Sequence, residues 1–393
     1  MSKNFKMLAK TLFGFEEILA KELRGLGAGN VTQGTRHVSF EGDTGFMYKA
    51  NLCLRTAIKI IKPIQSFSVG NEMDLYRKIY QMDWSRYLSP DHTFAIDATV
   101  HSDDFTHSLY VSQKTKDAIA DKFRDMNGRR PSVDVKNPDL RINVHIHKNN
   151  CNVSLDSSGS SLHHRGYRIS TNIAPINEVL AAGLLLLSGW DGQCDFLDPM
   201  CGSGTMLTEA AMIACNIPAN INRKGFAFEK WPDFDDVLYG KIMDACLKRT
   251  REFHYNIIGY DKAPSAVRKA RENIENANLS EYITIERNNF FKTIKQSEGP
   301  LHMVFNPPYG ERLNRADIDS SFNVESFYND IGNTLKQGYP GTNAWFITSN
   351  LNALKFVGLR PSRKIKVFNS HLESRLVKYE MYEGSKKAKF QKQ

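Results

Sequence analysis

A glycine-rich turn near the middle of the chain is the first feature that could support chemistry. The apolar residues before Asp198 indicate a strand, and the following turn, with Gly202 and Gly204, leads into a helical pattern. Glycines at the carboxyl end of such a strand let the backbone approach a nucleotide closely. This is neither a dinucleotide fingerprint, because Leu207 replaces its third glycine, nor a P-loop. The two glycines alone would equally fit a structural turn.

Acidic, amide and aromatic residues follow the next two strand-like segments. Asp261 comes directly after 256–260, where its carboxylate could accept hydrogen bonds from both hydroxyls of a ribose. The alternative role for this residue is to cap a helix over 264–277. Farther along, Asn289 and Phe290 could hold an adenine, although a polar turn beside a buried phenylalanine pair explains them equally well.

The turn Asn306-Pro307-Pro308-Tyr309 follows the apolar segment 301–305. Its prolines lack backbone donors, so the carbonyls and the Asn306 amide oxygen are free to accept hydrogen bonds. The exocyclic amine of a base is a poor nucleophile because its lone pair is delocalised into the ring. Two acceptors on its hydrogens, with Tyr309 over the base, would orient that lone pair toward a methyl donor. The turn therefore predicts methylation of an amine, with a rigid turn and a packed tyrosine as the alternative.

A sheet must position these motifs, and the second half of the chain alternates accordingly. Strand patterns are at 194–197, 256–260, 282–286, 301–305 and 343–348, and helical patterns are at 204–215, 264–277 and 323–337. This alternation predicts a parallel, doubly wound sheet. Two β segments within 363–382, joined near His371, are expected to add an antiparallel edge.

The first half of the chain has the pattern of small α+β modules. Helices are expected over 11–26, 45–54, 72–82 and 108–127, strands over 30–40, 57–64 and 93–100, and a hairpin over 141–155. The residues Ser157 to Ser161 indicate a turn or joint. We place the main domain boundary there.

Composition limits the class of protein. The 393 residues include 52 Lys and Arg against 43 Asp and Glu, a net charge of +9 that favours a polyanionic partner. Six cysteines without a CxxC pair argue against a disulfide framework or a zinc site, and no metal is expected. The longest apolar run, 179–187, is too short to span a bilayer, and the charged start does not resemble a signal peptide. We therefore expect a cytoplasmic protein without membrane contact.

In combination, these motifs resemble a known family. The segments DPMCGSGT, EAAMIA, FAFEKW, GYDKAP and NPPYGERL are similar to those of S-adenosylmethionine-dependent Rossmann-fold methyltransferases with an N-terminal THUMP RNA-binding domain. The resemblance is strongest to the bacterial 23S ribosomal RNA guanine-N2 methyltransferases, whose members have often been labelled N6-adenine DNA methylases. It extends over essentially the whole chain, including LHHRGYR and APINEVLAAGLL.

The resemblance implies an α/β fold class with three parts. These are a ferredoxin-like subdomain over 1–55, a THUMP domain over 56–160 and a Rossmann-like methyltransferase sheet over 161–393. It implies S-adenosylmethionine as cofactor. The methionine end of the cofactor would contact Asp198, Met200, Cys201, Gly202 and Gly204. Its ribose would contact Asp261, and its adenine would contact Asn289 and Phe290. The target base of the substrate would contact Asn306, Pro307 and Tyr309. Asn289 stands where many methyltransferases have Asp, but its carbonyl can still accept. Cys201 is not expected to act as a nucleophile.

Cationic and aromatic residues are candidates for RNA contact, although solvated loops would look the same. They are Arg129, Arg130, His164, Arg165, Tyr167 and Arg168. The expected substrate is a guanosine amine of 23S ribosomal RNA or a large-subunit precursor. A transfer RNA guanine or a DNA adenine remains an alternative, because the turn suits any exocyclic amine, and so does a non-catalytic RNA-binding assembly factor. The second methyltransferase domain of some relatives is not found, so one reaction is expected.

Overall fold

The computed structural model describes residues 3–169, 175–308 and 323–382. These residues form two compact units, neither of which is continuous in the chain. The first unit takes its described residues from Met1–Thr11, Leu19–Leu162 and Lys224–Ala245, and the second takes them from Leu12–Ile18, His163–Arg223 and Cys246–Gln393. No helix in the described parts of the chain is both long and apolar enough to cross a membrane.

The first unit is built on a mixed eight-stranded sheet. Its strands are β1 (Phe5–Thr11), β2 (Gly29–Gly34), β3 (His37–Gly42), β4 (Ala57–Ser68), β5 (Thr93–His101), β6 (Ser132–Val133), β7 (Leu140–His147) and β8 (Asn150–Asp156). They lie in the order β2-β3-β1-β4-β8-β7-β5-β6. The long strand β4 pairs with β1 on one side and with β8 on the other. The segments predicted to be ferredoxin-like and THUMP domains therefore share one continuous sheet.

Four helices and an insertion complete the first unit. The helices are α1 (Glu16–Leu26), whose first turn is grouped with the second unit, α2 (Thr44–Cys53), α3 (Glu72–Gln81) and α4 (Ser108–Asn127). Aromatic residues of the insertion, Phe226, Phe228 and Trp231, join the same buried core. The ring of Phe228 stacks on Tyr48 with 4.5 Å between centroids. The FAFEKW segment, which the sequence places inside the methyltransferase half, thus packs in the core of the first unit.

The second unit contains a seven-stranded sheet. Its strands are β9 (Asp195–Asp198), β10 (Ile257–Asp261), β11 (Ile283–Arg287), β12 (Leu301–Phe305), β13 (Thr342–Thr348), β14 (Arg363–Asn369) and β15 (Leu372–Glu380). The order is β11-β10-β9-β12-β13-β15-β14. The first five strands in this order are parallel, and β15 and β14 form the expected antiparallel edge. The chain moves outward from β9 to β11 and then returns to β12 on the other side of β9. Ligands bind at such a switch point.

The remaining helices are α5 (Glu178–Ser188), α6 (Thr205–Ala214), α7 (Asp236–Leu247), α8 (Pro264–Asn276) and α9 (Val324–Gly338). All of them belong to the second unit except α7, which is part of the insertion and lies mostly in the first unit. Every residue of β12 is buried, as expected for a central parallel strand covered on both faces.

The predicted alternation of strands and helices in the second half is confirmed, but two predicted segments in the first half were wrong and two helices, α5 and α7, were not predicted. Residues 5–11 form a strand, and the first helix begins at Glu16 rather than Thr11. The segment predicted as one strand over 30–40 is a hairpin of β2 and β3. Helix α7 was not predicted, since its apolar residues do not form a clear stripe and Cys246 is its one buried residue.

Candidate active site

The predicted motifs meet at the carboxyl ends of four adjacent parallel strands. Asp198 ends β9, Asp261 ends β10, Asn289 comes shortly after β11, and Asn306 directly follows β12. Since β9 and β12 are neighbours at the switch point, Asp198 and Asn306 belong to adjacent strands. The sheet therefore places acidic, amide and glycine groups along one edge.

The glycine turn is tightly folded. Gly202 and Gly204 have φ angles of 56° and 81°, in the left-handed region that favours glycine. A Cβ at Gly204 would approach the Cβ of Ala270 to 3.3 Å. Gly204 is also the N-cap of α6, and its N–H donates to the carbonyl of Cys201 at 2.9 Å. Side chains at these two positions would be strained, and glycine keeps the turn open to a ligand.

Asp261 faces this turn. Its Oδ2 accepts from the Gly202 N–H at 3.0 Å, and its Oδ1 accepts from the Ala263 N–H at 2.9 Å. The N-cap of α8 is Ala263, which makes no side-chain capping bond, so Asp261 does not cap that helix in the usual way. Burial raises the pKa of Asp261, and its two backbone donors oppose that shift. Each oxygen retains capacity to accept from a ligand hydroxyl.

Asp198 lies deeper than Asp261. It is 3% exposed, and its Oδ1 accepts from the Met200 N–H at 3.1 Å. Burial raises the pKa of Asp198 to about 8, and nearby Asp261 contributes to the rise. A cationic ligand group would stabilise the ionised form of this carboxyl. Burial also raises the pKa of the Cys201 thiol well above its usual value, so Cys201 is protonated at neutral pH and unsuited to nucleophilic attack.

Asn306 carries a buried side-chain acceptor. Its Oδ1 is shielded from solvent and has no hydrogen-bond partner among the residues that the structure describes. Pro307 is buried and Pro308 is exposed. Tyr309, predicted to cover the target base, lies outside the described residues. Since a buried acceptor without a partner is costly, the Asn306 oxygen is suited to a donor supplied by a ligand.

Phe290 and Asn289 occupy different environments. Phe290 is 2% exposed, and its ring packs 5.8 Å from that of Phe305 and 5.6 Å from that of Tyr339. Asn289 is exposed, and its Oδ1 accepts from the Phe291 N–H at 3.2 Å. The ring of Phe290 thus belongs to the core, which favours the buried-phenylalanine alternative. The expected adenine contacts of both residues stay a prediction.

Two of the expected RNA-contacting residues are buried. Arg165 is fully inaccessible to solvent, pairs with Glu209 at 3.2 Å and donates to Asn220 at 3.1 Å. The hydroxyl of Tyr167, which is 1% exposed, also donates to Glu209 at 3.1 Å. We therefore correct the expectation for both residues, because side chains enclosed in the methyltransferase unit cannot reach phosphates or bases. They anchor the chain to α6.

Arg168 also contacts protein groups. Its guanidinium lies 3.2 Å from Glu178 and donates to the hydroxyl of Thr205 at 2.7 Å. Burial raises the pKa of Glu178 to about 7, and the charge of Arg168 partly opposes this. Arg168 thus links the start of α5 to the residue that follows the glycine turn.

The other predicted RNA contacts are accessible. His164 is exposed and its ring lies 3.8 Å from that of His163. Arg129 and Arg130 are exposed in the first unit, where Arg129 pairs with Asp91 at 2.6 Å. Nothing in these contacts prevents RNA binding, which stays a prediction for these three residues.

Asn273 is a residue of the site that the sequence analysis missed. It is 1% exposed on α8, donates from Nδ2 to the Ser203 carbonyl at 3.0 Å and accepts from the Ile169 N–H at 3.0 Å. One amide thus connects the glycine turn to the segment before α5. The available signal was a single polar residue on the buried stripe of α8, which comprises Ala266, Val267, Ala270, Asn273 and Ile274.

Comparison with known families gives three matches along the chain. Residues 165–378 match the family described as RMKL-like, methyltransferase domain. Residues 69–156 match the THUMP domain, and residues 6–61 match the RlmL ferredoxin-like domain. The predicted fold class, with these three parts, is confirmed.

Similar proteins extend over nearly the whole chain. A provisionally named RNA methyltransferase of Synechocystis is 37% identical to this chain. The alignment covers 94% of this chain and 95% of that protein. The ribosomal RNA large subunit methyltransferase K/L of Methylococcus capsulatus is 36% identical over 94% of this chain, which spans 50% of that protein. A solved structure described as a provisional methyltransferase in complex with SAH is 29% identical, with a TM-score of 0.85 over 98% of this chain and 100% of its own.

Proposed function

This chain belongs to the RMKL-like methyltransferase family, and from that premise we propose that it methylates the exocyclic N2 amine of a guanosine in 23S ribosomal RNA. The observation that carries the proposal is the buried Oδ1 of Asn306, which has no hydrogen-bond partner in the described part of the chain. This acceptor follows β12, beside the strand that ends at Asp198. An amine donor on a substrate would satisfy it.

The residues at the strand ends fit S-adenosylmethionine. The buried Asp198 carboxyl needs a cation to ionise, which the α-ammonium would provide, and Asp261 keeps acceptor capacity for the ribose hydroxyls. The positive φ angles of Gly202 and Gly204 keep that turn free of side chains. When bound, the cofactor supplies an electrophilic methyl group on a sulfonium. A solved relative in complex with SAH supports this assignment.

Asn306 and Pro307 would orient the target amine. The Asn306 oxygen and the Pro307 carbonyl accept from its two hydrogens, which directs the nitrogen lone pair away from the turn. A neutral amide cannot act as a general base, so the proton leaves to solvent after the amine has been methylated. The nucleotide must be unpaired or extruded to reach this position.

RNA is the favoured polymer. THUMP is an RNA-binding domain by family resemblance, and the relatives are named as RNA or ribosomal RNA large subunit methyltransferases. Because the chain spans about half the length of the K/L relatives, the choice of 23S RNA and of the N2 amine belongs to this proposal.

The polymer preference is tested by methyl transfer in vitro. Labelled S-adenosylmethionine is offered with 23S RNA, transfer RNA or DNA from cells lacking this protein. We expect label in 23S RNA. Label confined to DNA or transfer RNA would refute the proposed substrate.

A further inference from the structure

The C-terminal part of the second unit carries a concentration of positive charge. From 355 to 378 the chain has seven Lys and Arg residues and one Glu. This short segment therefore contributes much of the net charge of +9 that the whole chain carries. We call these cations the basic strip: Lys355, Arg360, Arg363, Lys364, Lys366, Arg375 and Lys378. Five of them lie on the two antiparallel edge strands: Arg363, Lys364 and Lys366 on β14, and Arg375 and Lys378 on β15.

Few carboxylates neutralise the basic strip. Glu373 is shared by Lys366 at 2.6 Å and Arg375 at 2.8 Å, and Glu380 pairs with Lys378 at 2.6 Å. The other four cations have no ion-pair partner within the described residues, and all four are exposed: Lys355, Arg360, Arg363 and Lys364. The protein itself therefore leaves the β14 edge of the sheet electropositive.

The pairing of the strands increases the repulsion. Arg363 lies directly opposite Lys378, whereas Lys366 and Arg375, which also face each other, are bridged by the carboxylate of Glu373. Like charges at facing positions destabilise a sheet. A bound polyanion would offset the repulsion between Arg363 and Lys378.

The basic strip reaches the edge of the sheet that holds the candidate active site. Arg375 is paired with Thr348 at the carboxyl end of β13, and Phe346, two residues earlier on β13, is paired with Phe305 just before Asn306. From β12 to β14 there are three strand spacings, about 14 Å at roughly 4.8 Å each, and Arg363, aligned with Trp345 through Lys378, lies three residues, about 10 Å, before the carboxyl end of β13. A nucleic-acid chain with one nucleotide at Asn306 can span these distances.

We infer that the basic strip binds the phosphate backbone of the RNA substrate beside the target nucleotide. The inference rests on the proposed function, since it assigns a surface to the same substrate. Cations on an edge strand can also serve to prevent edge-to-edge association of sheets. The test must separate these two roles.

The variant to compare is Arg360→Gln/Arg363→Gln/Lys364→Gln, which removes three exposed charges that have no ion-pair partner among residues 3–169, 175–308 and 323–382. The control, Lys241→Gln/Lys248→Gln/Arg249→Gln, removes three exposed charges elsewhere. Binding of a fluorescein-labelled 20-nucleotide single-stranded RNA is measured by anisotropy over a range of salt concentrations. Losing three phosphate contacts should reduce the slope of log K against log salt by about 2, at about 0.7 per contact.

Methyl transfer should show a KM for RNA at least tenfold higher in this variant, with kcat at saturating RNA and affinity for S-adenosylhomocysteine unchanged. A salt slope equal to that of the control would overturn the inference. An unchanged slope with new oligomers in gel filtration would instead assign the basic strip to edge protection. Methyl transfer to DNA alone by the unmodified protein would refute the proposed function, a separate outcome from the slope.

Discussion

The side-chain oxygen of Asn306 is shielded from solvent without a described partner, whereas both oxygens of Asp261 receive backbone donors. We expect Asn306→Ala to reduce kcat by about 10²–10³-fold, the usual effect of removing one preorganised polar group from an active site. Affinity for S-adenosylhomocysteine should not change, because Asn306 is assigned to the target amine. Initial rates and calorimetry measure the two effects.

The control for this substitution is Asn343→Ala, an exposed asparagine near the amino end of β13. It should leave both quantities unchanged. Full turnover in Asn306→Ala would remove this residue from the mechanism.

The raised pKa of Asp198 predicts that cofactor binding releases a proton. With its pKa raised to about 8, this carboxyl is mostly protonated at pH 7 in the ligand-free protein. Pairing with the cofactor's α-ammonium should ionise it and release close to one proton, which calorimetry in buffers of different ionisation enthalpy detects. Asp198→Asn should abolish the release, while Asp195→Asn, at the opposite end of β9, should preserve it. Equal release from Asp198→Asn and the unmodified protein would contradict the assignment.

The same raised pKa affects stability. The folded state binds the Asp198 proton more tightly than the unfolded state does. The stabilisation that this proton gives the folded state is therefore complete below the ordinary pKa of 3.8 and is lost as the pH rises through about 8. The unfolding free energy of the ligand-free protein should therefore fall over this range. The fall should be smaller in Asp198→Asn.

At the scale of elements, Asn273 makes α8 a support for the glycine turn. Asn273→Ala would leave the Ser203 carbonyl and the Ile169 N–H without this partner, at a cost of about 1–3 kcal/mol for the buried Ser203 carbonyl, whereas Ile169 is 67% exposed. We expect affinity for S-adenosylhomocysteine to fall about tenfold or more. The kcat at saturating cofactor should change much less.

Asn273→Asp separates positioning from general damage. An ionised aspartate repels the Ser203 carbonyl, but a protonated one can donate to it and still accept from Ile169. The affinity of this variant, relative to the unmodified protein, should therefore recover as the pH falls from 8 to 5. A ratio independent of pH would show that the amide does not position the turn.

The buried pair of Arg165 and Glu209 anchors the segment before α5 to α6. Arg165→Met would leave the Glu209 carboxylate buried without its ion pair and should lower the free energy of unfolding by about 3–5 kcal/mol. Arg165→Met/Glu209→Gln should restore much of it. Urea unfolding measures both, and a single variant as stable as the unmodified protein would show that the pair is not structural.

Most strands and helices of the methyltransferase half could be predicted because each carries its own signal in a short stretch of sequence. The strand before Asp198, its glycine turn and the strand before Asn306 each carry their own signal, and the sheet brings them together as expected. Burial is a property of the tertiary structure, which is why Arg165 and Tyr167 looked like surface residues. Asn273 was missed for the same reason, since its two partners are distant in sequence.

For the whole molecule, the chain order does not match the compact units. Residues 224–245 lie between two segments of the second unit but pack in the first, as the stack of Phe228 on Tyr48 shows. No sequence pattern around this insertion indicates that it packs in the first unit rather than in the second. The domain boundaries at 55 and 160 and the cytoplasmic location stay predictions. The first unit's continuous sheet is consistent with its two N-terminal modules folding as one body.

The most direct test of the proposed function is nucleoside mass spectrometry of 23S RNA from cells lacking this protein, before and after treatment with the protein and S-adenosylmethionine. We predict that N2-methylguanosine increases by close to one residue per RNA molecule, and that Asn306→Ala, with its kcat lowered about 10²–10³-fold, produces only a small fraction of that increase in the same reaction time. Methylation found at N6 of adenine, or an N2-methylguanosine content that does not change under conditions where the protein binds both S-adenosylhomocysteine and RNA, would contradict the account.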